Sequence, residues 1–459
     1  MDHLQKLDQI IETMRAPMTD TLQKWIRIPS VKADPLPNAP FGKLIREMLD
    51  VAAADCEAMG FETKIFDGYA AHADLGEGSD EDALAILVHL DVVPEGDGWQ
   101  FPPYGAEIVN GRMYGRGTND DKGPAVAALY AMKAVKEAGI PLRRKVRLIL
   151  GCDEESGSAC MHYYKQVATM PRQGFSPDAN YPIINIEKGI LRIRLKADLP
   201  QEGLKIVRFD TGERPNVVPG KAVALVAGDE TTVTKIAAIS EKLGFPVSAE
   251  MENGLVKITV IGINGHAAFP EGARNAIGEM LLVLRELGAQ GSIKALADKV
   301  GMEYDGASLQ IKINDCISGG LTCNIGIIRA DESGVSAVLD IRYPVMTNPD
   351  MVVKNVQASL PGFTVEAASP NEPHYIPESS ELVQKLLDAY CEVTGYERKC
   401  LYTGGGTYAR ELEEGVAFGA AFPEDEDLAH QANEYVILEE LHKNIKIFAS
   451  AIVKLAGKA

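Results

Sequence analysis

Residues 83–89, ALAILVH, form an apolar run of strand length that ends on a histidine, and an acid, Asp91, follows two positions later. A histidine and a carboxylate at the end of a buried strand need partners, because buried polar groups without hydrogen bonds are costly. A second run, KVRLILGC (145–152), is followed by Asp153, Glu154 and Glu155. Between them DDKGPAVAALYAMKAVKEAG (120–139) reads as a helix. Ala125, Leu129, Met132 and Lys136 follow helical spacing, Pro124 suits the first turn, and Gly139 with Pro141 stops it. Strand-like and helix-like runs alternate over about the first 185 residues, which predicts an α/β architecture.

In open α/β sheets, ligand sites form at the carboxyl ends of the strands. Four stretches put polar groups at such places: His89 with Asp91; Asp120 and Asp121 in GRGTNDDKGP; Asp153, Glu154 and Glu155 in LILGCDEESGS; and Asp178 in SPDANYPIINIEKG. Each has an ordinary alternative, since loop acids are often solvated and Asp120 or the DEES acids could cap helix N-termini. Together they point elsewhere: successive acids clustered at strand ends repel one another unless a cation neutralises them. Carboxylates with histidine are ligands for Zn²⁺ or Mn²⁺, and the lack of any C-x-x-C pair fits a catalytic rather than a structural site. The chain has eight histidines, so seven besides His89 are available to complete it. His430 in AHQANEY and His266 in INGHAAFPEG are the candidates, whereas His3, His72, His162, His374 and His442 read as surface residues.

From about Leu191 to Tyr343 the text becomes β-rich and often alternating (LRIRLKADL, LVKITVIGI, SAVLDIRYP), with a helical stretch at 274–288. After AASPNEPHYIP (367–377) helix-like text returns in SELVQKLLDAYCEVTG. The expected organisation is a catalytic α/β domain over 1–187 and 375–459, interrupted by an inserted α+β domain over 188–374. GERPNVVPG (212–220) and GGLTCNIGI (319–327) share a Gly-x-x-x-Asn-Val/Ile pattern, a hint of internal duplication in the insert. The 459 residues give room for such a division, on a prior of ~150 per domain.

A net charge of −19, spread along the chain, argues against a nucleic-acid partner. No segment approaches the ~18 apolar residues of a membrane span. The first twenty residues lack a basic stretch leading into an apolar one, and the seven cysteines are scattered and odd in number. A reduced, cytoplasmic protein is expected.

The ordered set H-L-D-V-V-P, G-R-G-T-N-D-D-K-G-P, D-E-E-S-G-S, P-D-A-x-x-P, N-G-H-A-A-x-P and H-Q-A-N-E resembles the dinuclear zinc peptidases. That family includes carboxypeptidase G, succinyl-diaminopimelate desuccinylase, aminoacylase and the PepV-type dipeptidases. The long insert, GRGTNDDKGP and TGGGTYAR (403–410) are most similar to the PepV-type branch. The resemblance implies an α/β/α sandwich carrying an inserted lid, and two divalent metal ions bridged by Asp120. His89 and Asp178 would complete one metal site, Glu155 and His430 the other. Zn²⁺ is the first expectation, with Mn²⁺ or Co²⁺ as alternatives. Asp91 would accept a hydrogen bond from the non-ligating nitrogen of His89, and the Asp120–Asp121 peptide would be cis. Glu154 would act as general base on a water shared by the ions, and His266 would stabilise the oxyanion.

By the same resemblance, Arg342 in LDIRYP and the glycines Gly404, Gly405 and Gly406 would bind the substrate's carboxylate end, with Asn216 near the oxyanion or that carboxylate. Alone, Arg342 could be a surface charge at a strand end and the glycines a turn. The implied activity is hydrolysis of Xaa-Xaa dipeptides, β-alanyl dipeptides included, by a monomer whose insert supplies His266 and Asn216 in cis. Two other functions remain open at this stage: an aminoacylase, desuccinylase or carboxypeptidase-like hydrolase on the same centre, and an inactive metal-dependent binding protein.

Overall fold

A computed structural model describes residues 3–198, 203–426 and 428–458. The chain divides into two compact units: 1–186, 376–401 and 406–459 form the first, 187–375 and 402–405 the second. Residues 402–405, expected in the catalytic part, thus group with the second unit.

The first unit is built on a mixed sheet. Glu62–Phe66 pairs with Ala70–Leu75, followed in order by Val146–Gly151, Leu84–His89, Gln173–Ser176, Glu414–Ala417 and Ile184–Glu187. Leu84–His89 and Val146–Gly151 are buried at every position, as expected of parallel strands covered on both faces. Helix Lys122–Ala138 realises the predicted helix and ends at Gly139, whose φ of 72° suits the left-handed cap. It packs on helix Leu438–Ala456, and both lie against Leu84–His89. Among the described residues, no helix is long and apolar enough to cross a membrane, and all seven cysteines are free thiols.

The histidines expected at the surface divide. His162 is exposed and His374 half-buried, while the side chain of His3 lies outside the described residues. His72 and His442 are buried, contrary to expectation. His72 sits in the strand Ala70–Leu75, with Nδ1 2.7 Å from the Tyr164 hydroxyl. His442 lies on the buried face of the last helix, with Nε2 3.0 Å from the Ile11 carbonyl. Both are covered by tertiary packing against residues far away in the sequence.

The second unit holds an eight-stranded antiparallel sheet in the order Val247–Glu252, Leu255–Ile261, Lys221–Val226, Ile206–Thr211, Thr322–Asp331, Gly334–Tyr343, Gly189–Ala197, Thr364–Ala367. Alternating burial along Gly189–Ala197 shows one face covered and one open. The sheet has two like halves. Lys221–Val226 leads through helix Glu230–Leu243 to the edge strand Val247–Glu252, and Gly334–Tyr343 leads through helix Pro349–Ser359 to the edge strand Thr364–Ala367. In each half another strand is inserted between those two. The short Gly-x-x-x-Asn pattern does not mark this repeat. Its first copy lies mainly in the connection after Ile206–Thr211, whereas its second runs into Thr322–Asp331 itself.

Candidate active site

The parallel register sets the site. His89 is the ladder partner of Gly151, so both strands end at one level and residues 89–91 emerge beside 152–155. The carboxylate of Asp91 accepts the main-chain N–H groups of Glu154 and Glu155, each at 3.2 Å. Gln173–Ser176 runs alongside with Phe175 opposite Ile86, and the Ser176 hydroxyl donates to the Leu87 carbonyl at 2.8 Å. Asp178 therefore leaves the sheet next to His89.

Asp120 and His430 are delivered by a small antiparallel sheet of Glu107–Val109, Arg112–Tyr114 and Tyr435–Ile437, in which Tyr114 faces Tyr435. The segments 115–120 and 430–434 leave that sheet at the same end. The Asp120 carboxylate then lies between the two imidazoles, Oδ1 2.9 Å from His89 Nε2 and Oδ2 3.1 Å from His430 Nε2. His430 Nε2 is also 3.0 Å from Glu155 Oε1, and His89 Nε2 is 3.7 Å from Asp178 Oδ2. The Asp120–Asp121 peptide is cis. Ligand atoms of His89, Asp120 and Glu155 lie within 4.8 Å of one another, as do those of His89, Glu154 and Asp178.

This concentration of acid is electrostatically unfavourable by itself. Burial, with Glu155 and Asp120 adding repulsion, pushes the Glu154 carboxyl up to about 8. Burial and Asp120 likewise raise Asp178 well above the carboxylate range. Asp120 is held below that range against its own burial, by hydrogen bonds from His430 and His89. The His430 imidazole is raised to about 10 by Asp120 and Glu155. Asp121 is fully buried, accepts the His89 N–H through Oδ2 at 3.1 Å, and has no partner at Oδ1. Oxygen donors that repel one another around two imidazoles are a fitting environment for divalent cations. The residues fit the metals that the motifs imply.

Two details depart from the sequence expectation. The nearer acceptor for His89 Nδ1 is the main-chain carbonyl of Asp91 at 2.9 Å, while its carboxylate stands 3.6 Å away. The carboxylate is turned instead to the Glu154 and Glu155 amides. Asp153, first of the three successive acids, is structural: it pairs with Lys32 at 2.6 Å and accepts the Ala159 N–H at the start of a helix at 3.0 Å.

In the second unit the other expected residues form a cluster of their own. Val217 pairs with His266 in a short antiparallel bridge, and the Asn216 carbonyl accepts the Ala267 N–H at 2.9 Å. His266 is exposed, and its Nδ1 accepts the Ala268 N–H at 3.3 Å. Arg342 is not a surface charge. It is 3% exposed, its Nε donates to Asp340 at 2.5 Å, and its Nη1 donates to the Gly404 carbonyl at 2.6 Å. A Cβ on Gly404 would stand 2.6 Å from the Ala268 Cβ, so only glycine permits this approach. The Gly405 N–H donates to Thr403 Oγ1 at 2.9 Å, and Gly406 belongs to the first unit.

Sequence reasoning passed over several buried neighbours of the metal-ligand candidates. Tyr408, 1% exposed, sets its ring edge-on to His89 with centroids 6.2 Å apart. Its hydroxyl fills the space beside Gly151, where a Cβ would lie 2.3 Å away. Arg116 and Glu434 form a buried ion pair at 2.7 Å. Both lie within quoted motifs, but nothing local in the sequence distinguishes them from their neighbours.

A family profile described as Peptidase family M20/M25/M40 matches residues 85–454. Over 448 residues the chain is 38% identical to a protein of Bacillus subtilis (strain 168) named "Putative dipeptidase YtjP", covering 95% of this chain and 96% of that protein. It is 34% identical over 453 residues to "Putative dipeptidase SSP1012" of Staphylococcus saprophyticus, covering 95% of this chain and 96% of that protein. Among solved structures, human carnosine dipeptidase 1 shares the fold, with a TM-score of 0.62 at 17% identity over 99% of each chain. As the ordered motifs implied, this chain belongs to the peptidase family M20/M25/M40 and is a metallopeptidase.

Proposed function

We propose that this chain is a dipeptidase that cleaves Xaa-Xaa substrates, β-alanyl dipeptides included. Residues 1–187 and 375–459 are taken as its catalytic part and 188–374 as a lid. The observation that carries the reading is the Asp120 carboxylate, 2.9 Å from His89 on one oxygen and 3.1 Å from His430 on the other. The names of the two relatives at 38% and 34% identity support the dipeptide specificity.

His89 and Asp178 would hold one divalent cation and Glu155 and His430 the other, with Asp120 as the ligand common to both. Zn²⁺ is the expected metal, replaceable by Mn²⁺ or Co²⁺. When bound, such ions supply the Lewis acidity that lowers the pKa of a nucleophilic water to about 7 and polarises the scissile carbonyl. Glu154, whose carboxylate lies within 4.8 Å of ligand atoms of His89 and Asp178, is assigned the proton transfers. It removes a proton from the attacking water and passes one to the leaving amine, so the C–N bond breaks to give a carboxylate and an amine. His266 is assigned to the oxyanion. Arg342, Gly404, Gly405 and Gly406 are assigned to the substrate's terminal carboxylate, and Asn216 to that carboxylate or the oxyanion. The enzyme is taken to be a cytoplasmic monomer.

A metal-loaded assay over dipeptides, tripeptides and N-acyl amino acids tests the reading. Dipeptides are expected to be the preferred substrates, and preferential cleavage of N-acyl amino acids would overturn the specificity. Unchanged turnover in a metal-loaded Glu154→Ala variant would overturn the mechanism. A mass above that of one chain by light scattering would overturn the monomer.

A further inference from the structure

The Asp120 and His430 segments share an anchor that plays no part in ligation. The side chain of Glu434 is fully buried, and its two oxygens receive several donors. Oε1 accepts the main-chain N–H groups of Gly117 at 3.0 Å, Asn119 at 2.8 Å and Asp120 at 3.2 Å. Oε2 accepts Arg116 Nη1 at 2.7 Å and the Gly117 N–H at 3.1 Å. A carboxylate offers about four lone-pair sites, so these donors leave none for a cation. Hydrogen bonds to an ionised acceptor are the strong kind, and here they converge on the turn that carries Asp120.

The other end of the arrangement is covered. Arg116 is 1% exposed, and the Trp99 ring lies over its guanidinium, 5.3 Å from centroid to Cζ. Trp99 Nε1 and Arg116 Nη2 both donate to the Glu95 carbonyl, at 2.8 and 3.2 Å. Asn433, in the left-handed region at φ 63°, accepts the Gln100 N–H at 2.6 Å and so ties the same loop to the His430 segment.

We propose that Glu434, locked by Arg116 beneath Trp99, is a positioning residue that sets the Asp120 carboxylate between His89 and His430. A carboxylate is required: the amide of glutamine would leave Arg116 buried without a counter-charge and turn a donor toward other donors. Aspartate would be one methylene too short to reach the turn. The inference rests on the proposed function in taking Asp120 and His430 as metal ligands.

The test is Zn²⁺ affinity, measured on the full chain by competition with a chromophoric chelator. Supporting partners of metal ligands are typically worth about 10–100-fold in affinity. Glu434→Gln is expected to bind Zn²⁺ weaker by about that factor, with native near-UV circular dichroism. Its turnover is expected to recover at high Zn²⁺ with the dipeptide KM unchanged. His430→Ala serves as the control. If it weakens binding while a folded Glu434→Gln binds as the parent does, the positioning role is overturned and the ligand assignment stands. If His430→Ala also binds as the parent does, the ligand assignment is overturned and this inference with it. Should Glu434→Gln not fold, Trp99→Leu decides: a loss of affinity supports the role, and unchanged affinity overturns it.

Discussion

The carboxylate of Asp91 receives the main-chain N–H of Glu154 at 3.2 Å. The same carboxylate receives the N–H of Glu155, and His89 lies two residues earlier on the same strand end. Asp91 thus fixes the backbone beneath the proposed base and beneath one proposed metal ligand. Asn in its place keeps one acceptor oxygen but turns an NH₂ toward a second donor. Asp91→Asn is expected to lower kcat about 10–100-fold, with a smaller change in KM, in steady-state assays at saturating metal. An unchanged kcat would contradict this role.

Asn324 supports the turn that carries Asn216. It is 1% exposed, its Nδ2 donates to the carbonyls of Pro215 at 3.1 Å and Val217 at 2.9 Å, and its Oδ1 accepts from Asn275 at 2.8 Å. Asn324→Ala leaves those carbonyls without their donor and is expected to cost about 2 kcal/mol in urea unfolding. Because the turn loses its support, KM for dipeptides is expected to rise as well. A variant as stable as the parent, with the parent KM, would show that the turn holds itself.

Removing metal exposes the repulsion among Asp120, Glu154, Glu155 and Asp178. A ligand present at a hundred times its Kd stabilises by about 2.7 kcal/mol, and each kcal/mol moves Tm by about 2–4 °C in domains of this size class. Chelator-treated protein is expected to melt roughly 5–10 °C below the Zn²⁺-loaded form by calorimetry, with recovery on adding the ion back. Identical melting would contradict the metal centre.

His72 supplies a pH effect remote from that centre. Burial, helped by Arg147, pushes its imidazole down from 6.5 to about 4, against the opposing charges of Asp74 and Asp80. The unfolded chain therefore binds the proton first as pH falls, and stability is lost between about 6.5 and about 4. The loss from this group between pH 7 and pH 5 is about 1 kcal/mol after allowance for solvent screening. Urea unfolding of His72→Gln is expected to show a correspondingly shallower dependence on pH. The same dependence in variant and parent would mean that His72 keeps an ordinary pKa.

Much of the catalytic sheet is legible in the sequence because Leu84–His89 and Val146–Gly151 are covered on both faces, and such strands read as unbroken apolar runs. The strand Gln173–Ser176 escapes notice because GFS alone carries no pattern. Asp153, Glu154 and Glu155 are chemically alike in sequence. Only the chain's path after Gly151 turns the first toward Lys32 and the others toward the histidines. Glu434 and Arg116 are 318 residues apart, so no local periodicity could link them. His72 and His442 mislead because what covers them comes from far along the chain: Tyr164 lies against His72 and Ile11 against His442.

The pairing of Tyr114 with Tyr435 also has a meaning for the order of events during synthesis. The strand from Leu84 to His89 and the helix after Asp121 are made early, yet the second histidine reaches Asp120 only after the chain has passed residue 437 and the late strand has found its partner. Loop closure over such a span is a slow step, taken after local structure has formed. Until that pairing forms, a growing chain would carry only part of the proposed metal site. The proposed ligand set would be complete only once residues on both sides of the second unit have met.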